Sequence, residues 1–244
     1  MAPDPIPAAT LILARDTEHG PETLMVRRTA RMAFAAGAWV WPGGRIDADD
    51  HALSGIPAPT LAAVRELLEE AGLPIALAPA PGASLAAQLQ AALLGGATLP
   101  SLLAAHGLSL EPEALVTLSR WAPEIDLKRR FDTWFLLARA PADLPPIRPQ
   151  ESEVGEARWV RPQAMLDAIA AGEAHAIFPT LRNLERLAKA ADVEAMLADA
   201  RAYPPTKIVP RVEDRDGEPT VCIPEGLGYP VTAVPRSEAF RGQV

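Results

Sequence analysis

Three glutamates, Glu66, Glu69 and Glu70, stand at i, i+3 and i+4 within the run Thr60–Leu73. At ~100° per residue with Leu61 at zero, they fall at about 140°, 80° and 180°. Leu61, Val64, Leu67 and Leu68 share a separate arc of roughly 120°. The spacing predicts an amphipathic helix, started by Thr60 as N-cap and stopped by Gly72 and Pro74. Like charges at this spacing repel by roughly a few tenths of a kcal/mol per pair. They also occupy the second half of the helix, where the macrodipole disfavours negative charge. One reading is a solvated acidic face, with Arg65 as an ordinary i, i+4 partner of Glu69. The other is a divalent cation bridging the carboxylates, since Mg²⁺ prefers such oxygen ligands, often alongside substrate phosphates.

A Pro42-Gly43-Gly44 turn and an aspartate-rich loop (Asp47, Asp49, Asp50) precede the helix. Around them the pattern predicts strands at 8–15, 22–28, 115–121, 131–138 and 153–160. Helices are expected at about 162–171 and 179–200, and a hairpin of 206–212 with 219–223 over Asp216-Gly217. Residues 74–117 are Ala/Leu-rich, with helical stretches near 83–93 and 98–106. About 40 residues are too few for an independent core, so this reads as a helical insertion. Its role is open between capping a pocket and joining two copies into a homodimer. Strands interleaved with helices give an α/β class. Residues 1–202 read as the main domain and 203–244 as a C-terminal extension carrying the hairpin.

Composition narrows the function. The 244 residues carry 23 Lys+Arg against 31 Asp+Glu, a net charge of −8. That argues against nucleic acid as partner, where a basic face supplies most of the affinity. An anionic small substrate stays open, because a bound dication inverts the local field. No apolar run reaches a membrane span of ~20 residues. A single cysteine, Cys222, excludes a disulfide framework and a Cys-rich zinc site, and His19, His51, His106 and His175 lack ligand spacing. Met1–Pro7 is proline-rich and acidic, unlike a secretory signal. A cytoplasmic protein is expected.

The helix sequence Arg65-Glu66-Leu67-Leu68-Glu69-Glu70-Ala71-Gly72-Leu73 resembles the R-E-U-x-E-E-x-G-U half of the Nudix box, where U is aliphatic. Pro42-Gly43-Gly44 resembles its opening. The usual box is G-x5-E-x7-R. Counting from Gly44, its glutamate position falls on Asp50, and Arg65 follows 15 residues later instead of eight, seven extra. The resemblance implies an α/β/α sandwich around a mixed β-sheet, with residues 1–202 as a Nudix hydrolase domain. It implies Mg²⁺ or Mn²⁺ held by Glu66, Glu69, Glu70 and the Gly44 carbonyl. Arg65 would orient a glutamate through charge-assisted hydrogen bonds. The base varies within the family; Glu66, nearest the centre of the acidic arc, is favoured. Glu153 is a candidate for the late carboxylate that often assists.

Residues 24–44 resemble the coenzyme A signature L-L-T-x-R-S-x-x-M-x4-G-x3-F-P-G-G. Arg28, Met32, Gly37 and Pro42-Gly43-Gly44 keep register, whereas Val26, Thr29 and Trp41 depart from it. Trp121-Ala122-Pro123 and Arg129-Arg130-Phe131-Asp132-Thr133-Trp134-Phe135 resemble the W-x-T-P…R-R-F-D-T-x-F stretch of the larger, peroxisomal-type coenzyme A diphosphatases. These matches imply a coenzyme A-like nucleotide substrate, with Arg28, Met32, Gly37 and Arg130 as candidate binding residues. Arg28 is the candidate for its 3′-phosphate. For Met32 the alternative is core packing; for the arginines it is surface charge or a pair with Asp132. Two further readings remain: a diphosphatase for ADP-ribose, NADH or a related compound, and a Nudix-fold binding module without chemistry.

Overall fold

The computed structural model describes residues 4–29, 35–122 and 130–239. Strand β1 (Ile6–Thr17) is apolar toward both faces, with Ala9, Leu11 and Leu13 on one side and Ile12 and Ala14 on the other. A strand buried on both faces belongs at the middle of a layered fold. After a turn at Glu18-His19 come β2 (Gly20–Arg28), β3 (Trp39–Val40) and β4 (Gly43–Arg45). A single 3₁₀ turn (Ala48–His51) then leads to α1 (Ala58–Ala71). The insertion contributes β5 (Leu77–Ala78), α2 (Ala83–Leu94), α3 (Leu99–His106) and β6 (Ser109–Leu110). The chain returns to the main sheet as β7 (Leu115–Trp121), β8 (Phe131–Arg139) and β9 (Val154–Val160). Helices α4 (Pro162–Ala170), α5 (Phe178–Leu187) and α6 (Val193–Ala202) follow. The last elements are β10 (Lys207–Ile208), β11 (Arg211–Arg215), β12 (Glu218–Cys222), β13 (Ala233–Pro235) and α7 (Arg236–Ala239).

Among the described residues the main sheet runs β10-β7-β8-β1-β2-β3, with β4 added to β1 and β9 to β2. The pairs β1–β8 and β10–β7 are parallel and the rest antiparallel, so the sheet is mixed. One face packs on α1 through Ala9, Leu11, Leu13, Leu24 and Leu136 against Ala62, Ala63, Leu67 and Ala71. The other face buries Met25, Trp39, Trp41, Phe135 and Leu137 under α4, α5 and α6. The C-terminal extension adds Ile208, Val221, Tyr229 and Val234 to that second core. The class is α/β in three layers, as the sequence predicts.

Three local expectations change. The helix starts at Ala58 with Pro57 as cap, because Pro59 fits a first turn that needs no amide there, and Thr60 is buried. Expected as one helix over 179–200, α5 and α6 are separate: Asp192 caps α6 by accepting from Ala195 N at 2.7 Å. An N-cap aspartate beats the same residue inside a helix. The segment 206–212 divides at Pro210, which lacks the amide a continuing strand needs. Its first half, β10, joins β7, while β11 forms the hairpin with β12 around Asp216 and Gly217, both at positive φ. A further difference concerns α1, which is no one-sided helix. Leu61, Val64 and Leu68 lie under α2 and α3, while Ala63 and Leu67 lie on the sheet.

Inside α5, Arg182 is 3% exposed and its Nη2 meets Glu185 Oε1 at 2.7 Å. Arg182 Nε and Nη1 and Glu185 Oε2 have no hydrogen-bond partner among the described residues. Burial, opposed by Arg182 and reinforced by Glu238, raises the Glu185 carboxyl to about 7. A carboxyl raised on folding favours the folded state at low pH, and that support is lost as pH rises from its unfolded value through about 7. The full excursion is at most about 3 kcal/mol. Urea unfolding of Glu185→Gln between pH 4.5 and 8 should therefore give a flatter stability profile than wild type over ~pH 4.5–7. Parallel profiles would show that Glu185 titrates normally.

Candidate active site

Arg65 is the hub of the acidic region. Its Nε and Nη2 donate to the two oxygens of Asp50 at 3.1 and 2.9 Å, and Nη2 also to Arg45 O at 2.8 Å. Nη1 donates to Glu66 Oε1 at 2.9 Å and Glu69 Oε2 at 3.0 Å. Burial disfavours its charge, yet Asp50, Glu66 and Glu69 outweigh that and hold the guanidinium firmly protonated. Asp50 is 1% exposed, and Asp47 N donates to its Oδ2 at 2.8 Å. The seven extra residues therefore do not displace the contact: the 3₁₀ turn carries Asp50 back beneath Arg65.

Glu66 and Glu70 face β4. A side chain at Gly44 would run into the Glu66 carboxylate, and one at Gly43 into Thr10 and Ala9 O, so both glycines serve close approach. Glu70 is 3% exposed; the Gly43 amide favours its charged form, while Oε2 is buried with no hydrogen-bond partner among the described residues. Burial raises the Glu66 carboxyl to about 7, against the pull of Arg65, with Glu69 and Glu153 adding to the rise. Burial, Glu66 and Glu153 raise Glu70 well above the usual range, while the Arg28 charge lowers it. Glu69 is raised too, by burial opposed by Arg65. Arg28 and Glu153 thus lie within electrostatic reach of the helical carboxylates. The main chain fixes both, since Thr29 N donates to Glu153 O at 2.9 Å where β2 meets β9.

Gly37, at φ +70, donates its amide to Arg28 O at 3.1 Å, and Arg28 N donates to Ala38 O at 3.0 Å. Gly37 is thereby tied to the end of β2. Met32 lies outside the described residues, as do Phe34 and Arg129. Half-buried Arg130 stands just before β8, its carbonyl accepting from Ile6 N at 2.9 Å. Trp134 is opposite Ala9, which is opposite Gly44. Arg130 is four residues back from that rung, roughly 13 Å along the strand. Its backbone is therefore well separated from the carboxylates. Trp39, a candidate apolar contact in the sequence, is 4% exposed and packed in the second core beneath the Arg158 guanidinium.

The comparisons agree with this geometry. A family model described as NUDIX domain matches residues 5–85, from β1 through α1 into the insertion. Residues 5–85 are thereby similar to a NUDIX domain, and the chain has the Nudix fold. A NUDIX hydrolase from Alicyclobacillus acidocaldarius superposes with a TM-score of 0.70 and 28% identity, over 80% of this chain and 96% of that one. The NUDIX domain of Shewanella oneidensis NrtR, solved with ADP ribose, gives 0.45 and 14% over 75% and 86%. Among curated proteins nothing matches.

These carboxylates suit a hard divalent cation. Glu70 offers a buried oxygen with no hydrogen bond among the described residues, and crowded carboxylates whose ionisation is suppressed gain most from a nearby dication. Among the described residues no three His, Cys, Asp or Glu side chains form a ready-made cage. The Arg65 contacts explain this in part, because Nη1 draws Glu66 and Glu69 toward itself.

Sequence reasoning left the role of Asp50 open and missed Gln90 and residues 148–150, which hold the end of the carboxylate helix. Gln90 carried one readable signal. It shares the buried face of α2 with Ala86, Leu89 and Leu93, where an amide is unusual. The segment 148–150 carried none.

Asp50→Asn should leave an amide facing the Arg65 donors. Breaking a buried pair costs about 3–5 kcal/mol, lowering the melting temperature by on the order of 10 °C. Hydrolysis, measured well below that temperature, should fall as well, because Glu66 and Glu69 lose their shared anchor. Unchanged melting and turnover would remove Asp50 from this account.

Proposed function

We propose that this chain is a divalent-metal-dependent diphosphatase for coenzyme A or acyl-coenzyme A. It would release adenosine 3′,5′-bisphosphate and the (acyl-)4′-phosphopantetheine. The observation that carries the reaction class is the buried Glu70 Oε2, without a hydrogen bond among the described residues, beside Glu66 on a helix locked by Arg65 and Asp50. The coenzyme A reading rests on the register of Arg28, Met32, Gly37 and Pro42-Gly43-Gly44. Mg²⁺ or Mn²⁺, held by Glu66, Glu69, Glu70 and the Gly44 carbonyl, would neutralise the diphosphate and acidify the attacking water. Glu66, at the centre of the acidic arc, is the favoured base for the proton of that water. The water oxygen bonds to one phosphorus as the bridging P–O bond breaks. Arg65 keeps Glu66 and Glu69 oriented, and Arg130 is reserved for a distal part of a long substrate.

The nearness of Arg28 to Glu70 supports a role at the diphosphate rather than the 3′-phosphate. That favours a second reading, hydrolysis of ADP-ribose, NADH or another nucleoside diphosphate derivative, for which no 3′-phosphate contact is needed. A Mg²⁺ assay across coenzyme A, dephospho-coenzyme A, acetyl-coenzyme A, ADP-ribose and NADH separates the two. The first reading predicts the highest kcat/KM for coenzyme A or its acyl form; a clear preference for ADP-ribose or NADH would replace it. Arg28→Ala should lower kcat/KM about ten- to a hundredfold, equally for coenzyme A and dephospho-coenzyme A. A loss confined to coenzyme A would move Arg28 to the 3′-phosphate.

A further inference from the structure

We propose that Gln90 is a positioning residue for this hydrolysis: from the insertion it ties the end of the carboxylate helix to the segment that delivers Glu153. The inference rests on the diphosphatase reading above. A helix leaves its last four carbonyls without partners inside the helix. In α1 each finds one. Leu68 O accepts from Gly72 N at 3.0 Å, Ala71 O from Arg148 N at 2.8 Å, and Glu70 O from Gln150 N at 3.1 Å. Glu69 O accepts from Gln90 Nε2 at 3.0 Å. The same Nε2 donates to Arg148 O at 2.8 Å. Gln90 therefore joins three parts of the chain: the insertion, the turn bearing Glu69 and Glu70, and residues 148–150.

The linkage continues to the site. Glu153 N and Val154 N donate to Gln150 O at 3.1 and 2.9 Å, and Glu153 O accepts from Thr29 N. Glu153 acts in turn on the charges of Glu66 and Glu70. The joint is tightly built. Gly72 has φ +71, and a Cβ there would lie 3.0 Å from both Gln90 Oε1 and the Arg148 Cβ. Gln90 is 5% exposed on an otherwise apolar face, where leucine would bury at lower cost. An amide at this place makes sense for the two carbonyls it holds. The insertion then does more than cover α1: it sets the spacing between the helical carboxylates and Glu153.

The test uses the full-length chain and the variants Gln90→Leu, Gln90→Glu, Glu153→Gln and Gln90→Leu/Glu153→Gln. Gln90→Glu keeps the shape but loses the donor, and serves if the leucine variant folds poorly. The readouts are Mn²⁺ affinity by calorimetry without substrate, kcat and KM with Mg²⁺, and melting temperature. Gln90→Leu or Gln90→Glu should weaken Mn²⁺ binding and lower kcat by about two- to thirtyfold, with KM nearly constant. Adding Glu153→Gln should cost little more than the larger single effect, since both changes act through one residue. Fully additive losses, or a lowered melting temperature with Mn²⁺ affinity and kcat intact, would make Gln90 a purely structural joint and overturn the proposal. A wild type that neither binds Mn²⁺ nor hydrolyses any nucleoside diphosphate derivative would overturn the diphosphatase reading, and this one with it.

Discussion

The site depends on one buried cation. Arg65 spends all three of its nitrogens on Asp50, Arg45 O, Glu66 and Glu69, and so decides where three carboxylates from two elements can be. One positive charge does not balance its surroundings. Among the described residues, Arg65 and Arg28 face Asp50, Glu66, Glu69, Glu70 and Glu153, and burial holds Glu66 and Glu70 back from ionising. That deficit of positive charge makes the place hospitable to a divalent cation and to the electrophilic phosphorus chemistry a cation supports. A solvated acidic face would show none of this burial.

The fold serves that hub from both sides. Alanines and Leu67 bring α1 close to the sheet, while Leu61, Val64 and Leu68 lie under the insertion. The Glu66–Glu70 side is left facing β4, where Gly44 lets the backbone come near the Glu66 carboxylate and Gly43 lets β4 lie close on β1. The insertion and the 148–150 segment then complete the helix end, so the carboxylate helix is held along its length and at its last turn. Positions fixed on a helix and a sheet are better defined than positions on loops.

Much of this was legible in the sequence because it is local. The Glu66, Glu69 and Glu70 spacing, the Gly72 stop at φ +71, the Asp216-Gly217 hairpin and the strands around them all follow from short-range periodicity and turn chemistry. What escaped is nonlocal or competitive. The second buried flank of α1 exists only because the insertion folds over it. Asp50 reaches Arg65 across a lengthened loop whose closure no residue count reveals. Residues 148–150 cap carbonyls more than 75 positions away, and their amides carry no sequence signal. The break between α5 and α6 turns on Asp192, where a capping hydrogen bond wins over a run of good helix formers.

The central claim is that the carboxylates gathered around Arg65 form a divalent-cation site, with Glu70 supplying an oxygen that has no hydrogen bond among the described residues. Titration calorimetry of Mn²⁺ into wild type and Glu70→Gln tests it without reference to substrate, with circular dichroism confirming that both are folded. The account predicts saturable binding by wild type and at least tenfold weaker binding by the variant, of the order expected when a metal ligand or its support is lost. Equal affinity in the two folded proteins would contradict it.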